Sequence, residues 1–159
     1  MAKQEKTNAM RILDQKKIEY IIHDYTESGV IAGEDVANTL GEDPEKVFKT
    51  LVTVGKSKQY YVFLVPVCKE LNLKKAAKSV GEKSIEMIKS KELLPLTGYI
   101  HGGCSPIGMK KAFPTTIDIS AKEFDKIYFS AGKIGLQVEI AVSDINKFIK
   151  VKYDDICDL

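Results

Sequence analysis

The hydrophobic pattern of this chain changes period several times. Over residues 7–17, TNAMRILDQKK, Met10 and Leu13 recur at helical spacing with Ile12 nearby, and Thr7 can cap the first turn, so a short helix is predicted. It leads into a strand, IEYIIHDY. GEDVANTLG reads as a short helix closed by Gly41, and DPEKVFK as another, with Asp43 as cap and Pro44 at its first position. KTLVTV and QYYVFLVPV flank GKSK and predict a hairpin. Its strands are too apolar for one face to lie in water, which makes it the expected core.

Asn72 caps the next helix, LKKAAKSVG, with Leu73, Ala76, Ala77 and Val80 inward and Lys74, Lys75 and Lys78 outward on a solvated face. SIEMI predicts a strand and KELLPL a short helix, while glycine and proline make TGYIHGGCSPIG a strand running into a loop. TTIDIS is a strand, and Ser120 with Glu123 forms a capping box for a short helix over AKEFD. KIYFS and LQVEIAV make a second hairpin across AGKIG, and SDINKFI is a final short helix. Hairpins interleaved with short helices, without a regular β-α-β rhythm, predict an α+β fold. Its expected centre is a strongly curved, mixed or antiparallel, barrel-like sheet surrounded by short helices. No linker or repeat interrupts the 159 residues, so residues 1–159 read as one domain.

Composition narrows the function classes. A content of 44% hydrophobic and 29% charged residues is that of a soluble globular protein. The longest apolar run, Tyr60 to Val67, falls far short of the roughly 20 residues that cross a bilayer, and the polar start MAKQEKTNAM lacks a signal-peptide stretch. A cytoplasmic protein without a membrane partner is expected. Cys68, Cys104 and Cys157 are odd in number and widely spaced, which encodes neither a disulfide framework nor a four-ligand zinc site, and His101 with Cys104 offers two ligands at most. No metal is expected. No Rossmann or P-loop pattern is present, so no nucleotide cofactor is expected either. The formal charge of +2, nearly all the positive charge being lysine with Arg11 the sole arginine, argues against a strong nonspecific DNA or RNA binder. Any RNA contact should be modest and local.

Candidate chemistry gathers in three stretches: VFKTL, GYIHGGCSPIG and SAGKIGLQVEI. In the first, Lys49 and Thr50 fall where a helix is expected to give way to an apolar strand. Lys49 is there either a snorkelling edge residue or a cation at the mouth of a pocket. In the second, Cys104 and His101 lie among glycines, an arrangement suited to covalent acyl chemistry because glycines let backbone N–H groups approach an oxyanion. The other reading of Cys104 is a small buried hydrophobe.

Four motifs carry a resemblance over nearly the whole chain: FKTL at 48–51, LNLKKAA at 71–77, TGYIHGGCSPIG at 97–108 and SAGKIGLQVE at 130–139. In this order they resemble the YbaK/EbsC family of bacterial aminoacyl-tRNA deacylases, and most of all its free-standing Cys-tRNA(Pro) deacylases. Relatives of that group include an editing domain inserted in prolyl-tRNA synthetase and Ala-tRNA(Pro) deacylases. The resemblance implies a substrate pocket containing Lys49, Thr50, Tyr25, Gly102, Gly103, Ser105, Pro106 and Ser130. An aromatic is common before the GEDVANTL helix, where this chain has Ala32. His101 and Cys104 stand where apolar residues are common, which implies a local substitution at the first and a core residue at the second.

The chemistry implied by the resemblance is substrate-assisted. The thiol of the attached cysteine attacks its own ester carbonyl and expels the tRNA, with the backbone N–H groups of Gly102 and Gly103 orienting the carbonyl. Lys49 binds the tRNA end or stabilises developing charge. The expected partners are Cys-tRNA(Pro) and prolyl-tRNA synthetase, and the expected activity is that of a trans-editing deacylase, written as a thiolactone-forming lyase or as a hydrolase. The alternatives are a deacylase for another amino acid, such as Ala-tRNA(Pro), and a non-catalytic module that binds tRNA or a synthetase.

Overall fold

The structure is a computed structural model that describes residues 6–29 and 33–158. Its elements run α1 (Asn8–Gln15), β1 (Tyr20–Asp24), α2 (Gly33–Leu40), β2 (Phe48–Gly55), β3 (Tyr60–Pro66), α3 (Leu73–Val80), β4 (Ile85–Met87), α4 (Ser90–Thr97), β5 (Thr115–Asp118), β6 (Lys126–Lys133), β7 (Leu136–Ala141) and β8 (Val151–Asp154). Tight 3₁₀ turns at Thr26–Ser28, Ile119–Glu123 and Val142–Lys147 join some of them.

The strands form two sheets, one ordered β1-β7-β6 and one ordered β4-β2-β3-β5-β8. The smaller is antiparallel, whereas the larger is mixed because β3 pairs with β5, and β5 with β8, in parallel. The mixed α+β character is as expected. The barrel-like expectation is corrected: neither sheet closes or curls strongly. A parallel bridge between Val47 and Tyr128 joins the two sheets, reinforced where Tyr128 N–H donates to the Lys46 carbonyl at 2.9 Å.

Burial explains the arrangement. Alternate residues of the β2–β3 hairpin serve two layers, as its continuous apolar run requires. Phe48, Val52, Val62 and Leu64 enter a core shared with Ile117, Ile127, Phe129, Leu136, Val138 and Ile140. Tyr61, Phe63 and Val65 pack on the opposite side against Ala76 and Ala77 of α3. Helix α1 is anchored as its sequence predicts: Thr7 Oγ1 accepts from Met10 N–H at 3.2 Å, and Ala9, Met10 and Leu13 are buried. The Thr7 hydroxyl also donates to the Ala131 carbonyl at 2.6 Å, pinning the helix start to β6. In α3 the Asn72 cap is present, but Leu73 is exposed rather than inward.

Several local expectations are corrected. Residues 43–49 do not form a helix. Asp43 Oδ1 accepts from Glu45 N–H at 2.9 Å in a single turn, and the adjacent apolar pair Val47–Phe48 is drawn into the cores, which starts strand β2. The stretch 97–108 contributes no strand: Thr97 ends α4, and residues 98–108 cross as an irregular loop. The expected capping box of Ser120 and Glu123 is replaced by an Asp118 cap, whose Oδ2 accepts from Ser120 N–H at 3.2 Å and from Ser120 Oγ at 2.6 Å. The helices expected over AKEFD and SDINKFI are 3₁₀ turns. Strand β8 was not anticipated, because VKYD lies on a sheet edge with charged residues at alternate positions.

Candidate active site

A cavity of about 360 Å³ opens on the seam between the two sheets. The larger sheet supplies Lys49 and Thr50 from β2, and the smaller supplies Phe129, Ser130 and Gln137 from β6 and β7. Tyr25, just after β1, and His101, Gly102 and Cys104 of the long loop complete its polar lining, while Val36, Val47, Phe48, Leu51, Val67 and Leu93 make the rest apolar. An apolar hollow with a few convergent polar groups is the usual form of a small-ligand site. A larger hollow of about 720 Å³ lies beside Pro106, Phe113 and Phe148, and only lysines there bear charge.

Lys49 brings the positive charge. Its Nζ stands 3.6 Å from Glu70 Oε1, a loose pair in which Glu70 is mostly exposed, so the ammonium remains available at the cavity mouth. Thr50 Oγ1 is buried and has no hydrogen-bond partner. Tyr25 is fixed by its backbone, whose N–H donates to the Gly135 carbonyl at 2.8 Å, and burial pushes its phenol above the ordinary value. Ser130 Oγ accepts from Gly132 N–H at 3.2 Å, where a bulge shifts the register of β6 against β7.

The loop residues divide. Gly102 lines the cavity with φ at 87°, a left-handed conformation that glycine adopts without steric cost. Gly103 does not line it: its N–H donates to the Ile100 carbonyl at 3.0 Å, and a Cβ there would meet the Lys133–Ile134 backbone. The Gly103 N–H is thus engaged within the loop, and the glycine lets the loop pack against the β6–β7 turn. Ser105 is fully buried and its Oγ accepts from Ile107 N–H at 3.2 Å, while Pro106 faces the larger hollow, so both shape the loop rather than the cavity.

Cys104 is 7% exposed and belongs to the main core, and burial pushes its thiol up to about 12. A thiol held so far from its anion is a poor nucleophile. His101, expected as a local substitution for an apolar residue, is instead exposed on the cavity rim. The position of Ala32 lies outside the described residues.

Sequence reasoning missed Gln137 and Glu42. Gln137 alternates with Leu136 and Val138 and so resembles an outward residue, yet it is 3% exposed because β7 is the central strand of its sheet. Its Oε1 has no partner. Among the described residues no cluster of three metal-ligating side chains occurs, and no helix is long and apolar enough to cross a membrane.

The chain is similar to several known proteins. A protein of Enterococcus faecalis named as a candidate Cys-tRNA(Pro)/Cys-tRNA(Cys) deacylase, EbsC, is 48% identical over 139 residues, covering 87% of this chain and 85% of that protein. A proline–tRNA ligase of Shouchella clausii is 28% identical over 102 residues, 64% of this chain but 18% of the ligase. A crystal structure of a candidate trans-editing enzyme for prolyl-tRNA synthetase superposes with a TM-score of 0.83 at 20% identity, covering 98% of this chain and 100% of that one, and so shares the fold. The family model for the aminoacyl-tRNA editing domain matches residues 27–148, which span every strand lining the cavity and all but the Tyr25 corner of its wall. With that match and the EbsC likeness over most of both chains, this chain belongs to the aminoacyl-tRNA editing domain family, in its YbaK/EbsC group.

Proposed function

We propose that this chain is a trans-editing deacylase that removes cysteine from mischarged Cys-tRNA(Pro), acting beside prolyl-tRNA synthetase in the cytoplasm. The observation that carries the reading is a cavity with a cation at its mouth and no activated protein nucleophile. Among the described residues, no carboxylate or imidazole hydrogen-bonds to the hydroxyl of Thr50 or Ser130, and the Cys104 thiol is held protonated. A weak nucleophile needs an adjacent base or a depressed pKa, and none of these three has either.

The substrate supplies what the cavity lacks. A cysteine thiol with an ordinary pKa of about 8.5 has an appreciable anion fraction near neutrality. Its sulfur bonds to the ester carbonyl carbon, the bond from that carbon to the ribose oxygen breaks, and the ribose oxygen takes up a proton as tRNA leaves. The amino acid departs as a four-membered thiolactone. The protein contributes orientation, which in favourable cases lowers such barriers by about 7–11 kcal/mol. Gly102 presents backbone to the carbonyl, Lys49 meets the negative charge of the tRNA end or of the transition state, and Tyr25, Thr50 and Ser130 hold the aminoacyl group. Ser105 and Pro106 support Gly102 from behind.

The test is deacylation by purified protein of a panel of Cys-, Ala-, Ser- and Pro-tRNA(Pro). Rapid release from Cys-tRNA and little from Ser-tRNA is expected, since the two side chains are nearly isosteric but the hydroxyl is a far weaker acid. Preferred release from Ala-tRNA would overturn both the substrate and the thiol-assisted step. Tight binding without any release would leave only a tRNA-binding module.

A further inference from the structure

We propose that Gln137, backed by Glu42, binds the α-ammonium group of the aminoacyl ester at the floor of the cavity. This rests on the reading of the ligand as an aminoacyl-tRNA, and it names a part of that ligand for which the motifs provide no partner.

Unsatisfied polar atoms point to the place. Buried polar groups almost always find a hydrogen bond, so each exception asks for an explanation. Among the described residues, the exceptions are Thr50 Oγ1, Gln137 Oε1 and both carboxylate oxygens of Glu42. Two of the three residues line the same cavity, Thr50 from the larger sheet and Gln137 from the smaller. Glu42, in the turn after α2, lies outside the cavity lining and within reach of the Gln137 amide. Burial raises its carboxyl above the ordinary value, and the Gln137 amide partly offsets this without forming a hydrogen bond of normal geometry.

The chemistry of the two groups sets the polarity. An ionised carboxylate only accepts hydrogen bonds, so the Gln137 NH₂ faces Glu42 and the amide oxygen is left for the cavity. The other titratable groups close to Glu42 are His23 and Glu139, joined Nε2 to Oε1 at 2.8 Å, and the neutral phenols of Tyr25 and Tyr128. His23 favours the Glu42 anion and Glu139 opposes it, and because these two are joined to each other neither hydrogen-bonds to the Glu42 oxygens. A buried carboxylate in that position is costly until a cation arrives.

An aminoacyl ester brings one such cation with every amino acid, its α-ammonium. Three N–H donors match the acceptors at hand: the Gln137 oxygen directly, polarised by Glu42 from behind, and Thr50 Oγ1 from across the cavity. The amine is then held toward the smaller sheet while Lys49, also positive, stays at the mouth on the larger one. A site so built rejects esters whose amine is acylated, because acylation removes the charge and leaves the buried acceptors unpaired.

The experiment uses 3′-cysteinylamino-adenosine, which cannot be hydrolysed, and its N-acetyl form. Their binding is measured by calorimetry to the parent protein, Glu42→Gln and Gln137→Leu, and turnover of Cys-tRNA(Pro) and N-acetyl-Cys-tRNA(Pro) is measured in parallel. The parent should prefer the free amine by about tenfold or more, the scale of a hydrogen bond to a charged group. Each variant should lose most of that preference by weaker binding of the free amine alone, with KM for Cys-tRNA raised and kcat largely kept. Equal binding of the two analogues by the parent, or a preference that survives in both variants, overturns the ammonium site. If both tRNAs are deacylated alike, the site fails while the deacylase reading stands. If the analogues are distinguished but neither tRNA is deacylated, the deacylase reading fails while the site stands.

Discussion

Gly103 stands so close to the β6–β7 turn that a Cβ on it would lie 2.9 Å from the Ile134 nitrogen. The neighbours it would strike are backbone atoms, which cannot rotate away. Gly103→Ala is therefore expected to force the loop or the turn to shift, at a cost of about 1–3 kcal/mol. Denaturant unfolding should show a lower midpoint, and turnover should fall with it because Gly102 and Ser130 sit on the two segments being parted. An unchanged midpoint would show that the loop relaxes freely.

Lys49 pairs loosely with an exposed Glu70. Lys49→Ala should lower deacylation about 10²-fold or more, the scale of removing one group that stabilises transition-state charge. Glu70→Gln should leave the rate near that of the parent, since an exposed pair is worth about 0–1 kcal/mol. Circular dichroism spectra that match the parent would confirm intact folds. A Lys49→Ala enzyme of full activity would remove this lysine from the mechanism.

Cys104 should be replaceable. Cys104→Val is close to volume-conserving, so a stability loss below about 1.5 kcal/mol and near-parent turnover are expected. Alkylation followed by mass spectrometry should label exposed Cys68 well before Cys104 or Cys157, both of which are buried with thiols pushed up to about 12. Loss of activity in a folded Cys104→Val protein, with an acyl adduct on Cys104 in the parent, would make it the nucleophile after all.

Glu42 should make stability depend on pH in a definite direction. Burial raises its carboxyl in the folded protein, so the fold disfavours the charged form. The penalty is absent below the ordinary glutamate value, grows as pH rises through it, and levels off above the raised value. Glu42→Gln, which cannot ionise, should be more stable than the parent at pH 7, with the gain shrinking toward pH 4. Urea titrations at the two pH values measure this. A less stable variant at pH 7 would mean that the carboxylate already has a partner in the folded protein.

Period and capping made much of the fold legible. The β2–β3 run announces a strand buried on both sides, and Thr7 and Asn72 cap the helices they precede. The motifs placed Lys49, Thr50, Tyr25, Gly102 and Ser130, which meet around one cavity although they come from both sheets and two loops. Sheet order is a long-range property, and it decided the misses. Gln137 is buried because β1 and β6 cover both edges of β7, a fact that no local alternation encodes. Residues 43–49 have good helix-start chemistry, but the core takes Val47 and Phe48 first. Gly103 and Ser105 sit in the same motif as Gly102, and only the path of the loop separates the residue lining the cavity from those packed behind it.

The bridge between Val47 and Tyr128 has a consequence for how this scaffold changes its substrate. The cavity is a gap between two leaves: Thr50 moves with one and Gln137 with the other. Its width is therefore set by whatever spaces the leaves, including Val52 of β2 and Ile127 of β6, which share the main core and do not line the cavity. A drift of size at these positions would widen or narrow the gap while the wall kept its polar groups. What such a gap admits is then inherited through hidden spacers, and two members with matching walls can still differ in the size of ligand that fits.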